Sequence, residues 1–388
     1  MPPTNLVPRL QPFTSTIFAE MTALAVQADA VNLGQGFPDT DGPDGMLAAA
    51  RDAISAGANQ YPPGPGLPEL RAAIARRRTR FDTEFDPDSE VLVTVGATEA
   101  IAASLLALVE AGDEVVLFEP YYDSYAACVA LAGATRRVVP LAEEASGRFG
   151  LDVDAFRAAI TPRTKVVLVN TPHNPTGTVF SRAELTAVAE VCREHDLIAI
   201  TDEVYEDLLF DDREHVPLGS LPGMAERTLT ISSAGKSFNC TGWKIGWVCG
   251  PAGLVAAVRA AKQFLTFAGG TPFQSAVAYA LREEDVWVEG LRASLADKRT
   301  RLSEGLAKAG FGVRAAEGTY FVCADVRPLG FTDGHEFCRA LPGRIGVAAV
   351  PVQVFTDDPD RWRHLVRFAF CKRDEVLDEA ITRLHRLA

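Results

Sequence analysis

The feature that most constrains this chain is a series of short apolar runs that alternate with helix-period stretches through its middle. Residues 91–95, 114–118, 165–169, 197–201, 228–232 and 244–249 each read as a strand. Their hydrophobicity is continuous rather than alternating, which suits strands covered on both faces, as in a parallel sheet. Between them, 97–109 and 182–195 read as helices. The second has Ser181 at its N-cap position and Glu184 three residues on, the pattern of a capping box. The expectation is an α/β fold with a doubly wound, mostly parallel sheet.

The two ends have a different texture. Residues 1–45 are rich in Pro and Gly around one amphipathic helix carrying Ile17, Met21 and Leu24. Beyond about residue 275, the pattern predicts a long helix over 285–309, strands at 319–325 and 364–370, and a last helix over 374–387. The expected division is an N-terminal arm, 1–45, that joins a small domain, a large domain over 46–275, and a C-terminal small domain over 276–388.

Composition narrows the function. A net charge of -13 over 388 residues excludes an electrostatic nucleic-acid binder and disfavours anionic membranes. No apolar stretch is long enough to cross a bilayer. The N-terminus has no secretory h-region, and the seven cysteines lack CxxC spacing. These features suit a cytoplasmic protein with reduced thiols and no metal site. The basic residues are 31 arginines and only seven lysines, so chemistry that needs a primary amine has few candidates.

Ligands of open α/β sheets bind beyond the carboxyl ends of the strands. After the first strand, Gly96-Ala97-Thr98 opens a helix whose N-terminus suits a phosphate, although small residues also occur at ordinary turns. After the third comes Asn170-Thr-Pro-His-Asn174-Pro-Thr-Gly177, a rigid turn that could hold Asn170 and Asn174 as fixed donors. After the fourth, Asp202-Glu-Val-Tyr205 sets a carboxylate where it must cap a helix or meet a cation. Ser232-Ser233-Ala-Gly-Lys236-Ser follows the fifth. It has the Gly-Lys-Ser of a P-loop, but Thr230 stands where that motif needs glycine. What remains is a lysine in a small-residue turn, eight residues before Lys244. A second cation and partial burial both lower an amine's pKa and suit it to forming a Schiff base.

Together these are parts for pyridoxal 5'-phosphate, which needs an amine for its aldehyde and a carboxylate for its ring nitrogen. Lys236 and Asp202 fill those roles. Asn174 with Tyr205 would face the phenolate oxygen, Tyr121 or Tyr122 would stack on the ring, and Gly96, Ala97, Thr98, Ser233 and Lys244 would cup the phosphate.

On these segments, with Asn32-Leu-Gly-Gln-Gly-Phe-Pro-Asp39, Asn59-Gln-Tyr61 and Val366-Arg-Phe368, the chain closely resembles the fold-type I, class I aminotransferases. Within them it is similar to the kynurenine/glutamine/methionine group and to actinobacterial N-succinyldiaminopimelate aminotransferases. The resemblance implies the PLP-dependent transferase fold and ping-pong transfer of an amino group from an L-amino acid to a 2-oxo acid. Lys236 would serve as base and acid. It further implies that Arg367 grips the substrate carboxylate with a backbone contact at Gly34, and that Tyr122 is the stacking aromatic. Asn170 would line the cofactor site and Asn174 would also touch substrate. Tyr61 would reach the phosphate of a neighbouring subunit in a homodimer. Phe18 stands where animal relatives carry a pocket tryptophan. Phe37 and Phe267 are further pocket aromatics if they line it. A cysteine-conjugate β-lyase, using the same cofactor, is the alternative; a P-loop nucleotide enzyme is a poorer one.

Overall fold

The computed structural model describes residues 6–14 and 16–387. Its centre is a seven-stranded sheet of β1 (Val91–Val95), β2 (Glu114–Glu119), β3 (Thr135–Pro140), β4 (Thr164–Asn170), β5 (Ile198–Asp202), β6 (Thr228–Ser233) and β7 (Ile245–Cys249). The spatial order is β1-β7-β6-β5-β4-β2-β3. The pairs from β3 across to β6 are parallel, whereas β7 runs antiparallel to both β6 and β1.

The continuous apolar runs have the expected consequence. Val115, Leu117, Val166 and Leu168 enter one core, and their alternates Val116, Phe118, Val167 and Val169 enter another on the opposite face. Helix Gly96–Leu108 contributes to the first core, and helix Arg182–Glu194 to the second. That helix begins with the complete capping box at Ser181 and Glu184.

Helix α1 (Ile17–Gln27) precedes α2 (Asp44–Ser55) and α3 (Pro68–Arg78), and α4 (Gly96–Leu108) follows β1. A helix not anticipated from the sequence, Thr271–Glu283, packs against α2 and α3. A second, four-stranded sheet comprises β8 (Gly312–Val313), β9 (Phe321–Asp325), β10 (Val350–Pro351) and β11 (Leu365–Ala369), in the order β8-β9-β11-β10. Residues Val31–Asn32 pair in parallel with Val347–Ala348, so the two ends of the chain share one core.

Several boundaries differ from expectation. β9 starts at Phe321 because Thr319, at φ 68°, is left-handed and cannot extend the strand. Lys244, at φ 55°, likewise precedes β7 instead of opening it. The last helix is Asp374–Leu384, followed by a 3₁₀ turn. Strand β3 escaped notice because it lies at the sheet edge, where its residues alternate in exposure.

Candidate active site

The strand directions decide where chemistry collects. The carboxyl ends of β1, β4, β5 and β6 lie on one edge, and antiparallel β7 begins there. In register, Ile245 stands beside Val95, Gly246 beside Ser233, and Asp202 beside Asn170. A cavity of about 370 Å³ opens over this edge. It is lined by Gly96, Ala97, Thr98, Tyr122, Asn170, Asn174, Asp202, Tyr205, Ser233, Lys236, Lys244, Arg367 and Phe18, all anticipated from sequence.

One end of the cavity is built for an anion. Helix α4 starts there, and its first-turn N–H groups have no acceptor within the helix. Gly96 has φ 73°, and a side chain there would meet Lys244 Nζ. Gly246 is required by proximity: a Cβ on it would stand 2.6 Å from the Gly96 carbonyl carbon and 2.8 Å from Ala97 N. The amine of Lys244 therefore sits over the helix start, where its charge adds to the dipole.

At the floor, Asp202 is 4% exposed. Its carboxylate accepts from Tyr125 Oη at 2.6 Å and from Val204 N at 3.3 Å. No cationic side chain among the described residues makes an ion pair with it. Burial pushes its pKa up to about 6, against the pull of Tyr125, the Val204 N–H and Lys236. Below it lies a buried charge cluster. Arg78 pairs with Glu203 at 2.9 Å and with Glu206, while His215 Nε2 lies 2.8 Å from Glu203. Glu203, Glu206 and His215 are close enough to hold a metal, but the Arg78 guanidinium already occupies both carboxylates as their hydrogen-bonded partner.

Lys236 lies in the short helix Ala234–Ser237 directly after β6, and its Nζ donates to Tyr320 Oη at 2.7 Å. Desolvation by burial brings its pKa down to about 8, opposed by Cys371 and Asp202 and assisted by Arg367 and Lys244. Across the cavity Arg367, on β11, is 1% exposed. Its Nη1 donates to Asn174 Oδ1 at 2.7 Å and its Nη2 to the Gly34 carbonyl at 3.1 Å. Its Nε has no partner, and no carboxylate among the described residues pairs with it. The ring of Phe321 lies 3.9 Å below the guanidinium, and Phe18 and Phe355 flank it. A buried cation with only neutral acceptors is an open position for an anionic ligand.

Four of the anticipated residues stand apart from the cavity lining or are partly committed within it. Asn170 is partly committed, since one Nδ2 N–H bonds the Asp202 carbonyl and its Oδ1 accepts from Asn174 N, which leaves its second N–H. It holds the turn so that Asn174 stands correctly. Gly34 lies beside the cavity, but its N–H is taken by Asn32 Oδ1 and its carbonyl by Arg367. Tyr61 is outside this chain's cavity, at 79% exposure, in a T-shaped pair with Phe267. Phe267 is with it on the surface rather than in the pocket, whereas Phe37 does line the cavity.

Sequence reasoning missed Tyr125, Tyr320, Phe321, Gln35 and Gly36. Tyr125 sits in the first turn of the helix Asp123–Leu131 and Tyr320 at a strand entry, where aromatic residues normally signal core. Nor does burial isolate the two site lysines: Lys236 is half-buried and Lys244 exposed, whereas Lys262 and Lys372 are buried. They are spent on the carbonyls of Phe267 and Phe37.

This sheet-edge arrangement of lysine, carboxylate, helix start and unpaired arginine belongs to an amino-group transferase. The model of the family Aminotransferase class I and II matches residues 28–384, and the chain belongs to that family. It is 60% identical over 391 residues to a protein named probable N-succinyldiaminopimelate aminotransferase DapC of Mycobacterium tuberculosis, covering 98% of each chain. It is 40% identical over 380 residues to the methionine aminotransferase of Escherichia coli, covering 98% of this chain and 97% of the relative. The solved structure of N-succinyldiaminopimelate aminotransferase from M. tuberculosis superposes with a TM-score of 0.97 at 61% identity, covering 99% of this chain and all of the other. The protein is an aminotransferase with the fold-type I architecture. No helix among its described residues is long and apolar enough to cross a membrane.

Proposed function

We propose that the cavity takes pyridoxal 5'-phosphate and exchanges amino groups between an L-amino acid and a 2-oxo acid. The observation that carries this is the set of unpaired opposite charges at fixed ends of one cavity. Among the described residues no cation pairs with Asp202, no anion with Arg367, and no carboxylate with Lys244 over the start of α4. A phosphorylated pyridine with an aldehyde, followed by an amino-acid carboxylate, supplies all three counterparts. When bound, the cofactor supplies the electron sink that makes the substrate α-carbon acidic.

The chain's own residues do the rest. Arg367 holds the α-carboxylate, with Asn174 fixing the guanidinium's plane. Lys236 Nζ removes the α-proton and returns it, and an amine near pKa 8 is suited to both directions. Asp202 keeps a ring nitrogen protonated, and Tyr125 anchors Asp202. Tyr205 and Asn174 would face the ring oxygen, and Tyr122 its plane. Lys236→Ala should abolish turnover and, by removing the amine that joins the aldehyde, shift the visible band of bound cofactor from its wild-type position; retained turnover or an unshifted band would overturn the assignment.

For the donor, identity of 60% across 98% of the chain supports N-succinyldiaminopimelate. The aromatic lining by Phe18, Phe37 and Phe321 favours a second reading, a methionine-like or aromatic donor. Turnover on a panel of donors with 2-oxoglutarate and pyruvate decides between them, and pyruvate release from a cysteine conjugate would reveal β-elimination. We also assign a homodimer, supported by the exposed cluster of Tyr61, Phe264, Leu265 and Phe267. A cytoplasmic location is supported by seven buried free thiols. The small domain built from both termini about a large central one is part of the same reading, supported by the pairing of Val31–Asn32 with Val347–Ala348.

A further inference from the structure

We propose that Tyr320 is a positioning residue for Lys236: its hydroxyl fixes the direction of the lysine amine and ties that amine to the substrate loop at Gly36. The proposal rests on the role given to Lys236 above. Tyr320 is buried at the entry to β9, with its ring edge-on to Tyr205 and Phe321. Its oxygen stands between two partners. It donates its proton to the Gly36 carbonyl at 2.5 Å, and it receives Lys236 Nζ at 2.7 Å.

A phenol has one proton and two lone pairs. A carbonyl can only accept, so the Gly36 contact consumes the proton and leaves a lone pair for Lys236. The order of donation is therefore fixed as lysine to tyrosine to loop. A neutral amine has two N–H groups and one lone pair. Giving one N–H to Tyr320 removes free rotation about Cε–Nζ and confines the basic lone pair to the remaining directions, which open on the cavity. Without this contact, Nζ would rotate among several orientations, few of them suited to proton transfer.

The same oxygen links the amine to the segment that closes the cavity on that side. Between Leu33 and Asp39 the segment donates its Leu33 N–H to the Ala348 carbonyl and its Gly34 and Gln35 N–H groups to Asn32 Oδ1, and it accepts from five donors elsewhere in the chain. Ala369 N donates to the Leu33 carbonyl, Arg367 to Gly34, Tyr320 to Gly36, Lys372 to Phe37, and Arg373 N to Asp39. Of these donors only Tyr320 also touches the lysine. The other groups facing Nζ are Asp202 on β5, the Tyr205 ring at 5.6 Å, Cys371 after β11, and the cations Arg367 and Lys244. None of these makes a hydrogen bond to Nζ.

An acceptor for the ammonium raises the amine's proton affinity, so its loss lowers it. The test uses the full-length chain freed of cofactor. Lys236 is labelled by trace acetic anhydride as pH is raised, and its peptide is quantified by mass spectrometry against exposed Lys308. The wild-type midpoint is expected near 8. Tyr320→Phe should move it down by about one unit, and 3-fluorotyrosine at position 320, isosteric but a weaker acceptor, by less in the same direction. In the loaded enzyme, exchange of the substrate α-hydrogen should slow by about tenfold. Its acid-limb midpoint should move down in parallel. An unmoved midpoint in folded Tyr320→Phe protein overturns the proposal, as does a shift in Tyr320→Phe with none in the fluorinated chain. Because the labelling needs no cofactor, its failure is separate from failure of the cofactor reading, which the absorbance of Lys236→Ala tests.

Discussion

Arg367 and Asn174 hold each other through one 2.7 Å hydrogen bond, in which a buried guanidinium with no carboxylate partner meets the oxygen of a neutral amide. The amide restrains the cation without neutralising it, so the charge remains available to a ligand.

Asn174→Asp should therefore convert the restraint into an ion pair and occupy Arg367. The KM for the amino donor is expected to rise about 10- to 100-fold, the equivalent of one charge-assisted hydrogen bond. Thermal stability should not fall, because the buried cation gains a partner. Steady-state kinetics and a thermal melt on the same preparation test both halves. A fall in melting temperature with unchanged KM would refute the relationship.

Asp202 should make the cofactor-free chain less stable at neutral pH than in mild acid. Its folded pKa, about 6, lies above the ordinary 3.8. The native state thus binds the proton more tightly, and the stability this confers is complete below 3.8 and lost as pH rises through 6. A shift of that size corresponds to roughly 3 kcal/mol. Asp202→Asn should match wild type in acid and exceed it at neutral pH by up to that amount. Urea denaturation across pH checks this, and added pyridoxal phosphate should reverse the order by stabilising only the wild type strongly.

Arg78→Met should be severely destabilising, by about 3–5 kcal/mol, since of basic partners it leaves Glu203 with only His215 and Glu206 with only the 3.7 Å contact to Arg80. In the wild type, burial would raise the Glu203 pKa, but Arg78 and His215 hold it down to about 2. That stability is present above about 4.5 and is lost as pH falls through 2. In the variant the two glutamates protonate more readily, so the deficit should shrink in mild acid. Equal deficits at neutral and acidic pH would show that the loss comes from packing alone.

Phe264 is 86% exposed, on the same segment as Phe267 of the Tyr61–Phe267 pair. Phe264→Glu should turn a dimer in sedimentation velocity into monomer at micromolar concentration, because it places charge in the apolar centre of the contact. If Tyr61 serves a neighbouring site, cofactor affinity should fall with dissociation. An unchanged sedimentation coefficient would move the interface elsewhere.

The central sheet and its lysine were legible because a buried parallel strand announces itself as an apolar run, and its ligand residues follow at once in sequence. Asp202, Lys236 and the Gly96 turn were found in this way. Arg367 was not: on a strand of the second sheet, among 31 arginines, nothing local distinguishes it, and only the family resemblance singled it out. Tyr125 and Tyr320 left no signal, because their role depends on a hydroxyl meeting a residue 77 or 84 positions away. How much of the Asn170 amide is left for a ligand is hidden in the sequence for a related reason. The sequence places its amide at the sheet edge, but whether an amide is free or already spent depends on the neighbouring backbone.

The bond between Arg367 and the Gly34 carbonyl spans 333 residues. During synthesis, the sheet that carries Asp202 and Lys236 is complete more than a hundred residues before the arginine emerges. A nascent chain can therefore expose a formed floor with no wall, and loop closure across nearly the whole polypeptide must come last. Truncation near the C-terminus would cost the carboxylate grip, and with it the seam that holds the first 40 residues in place.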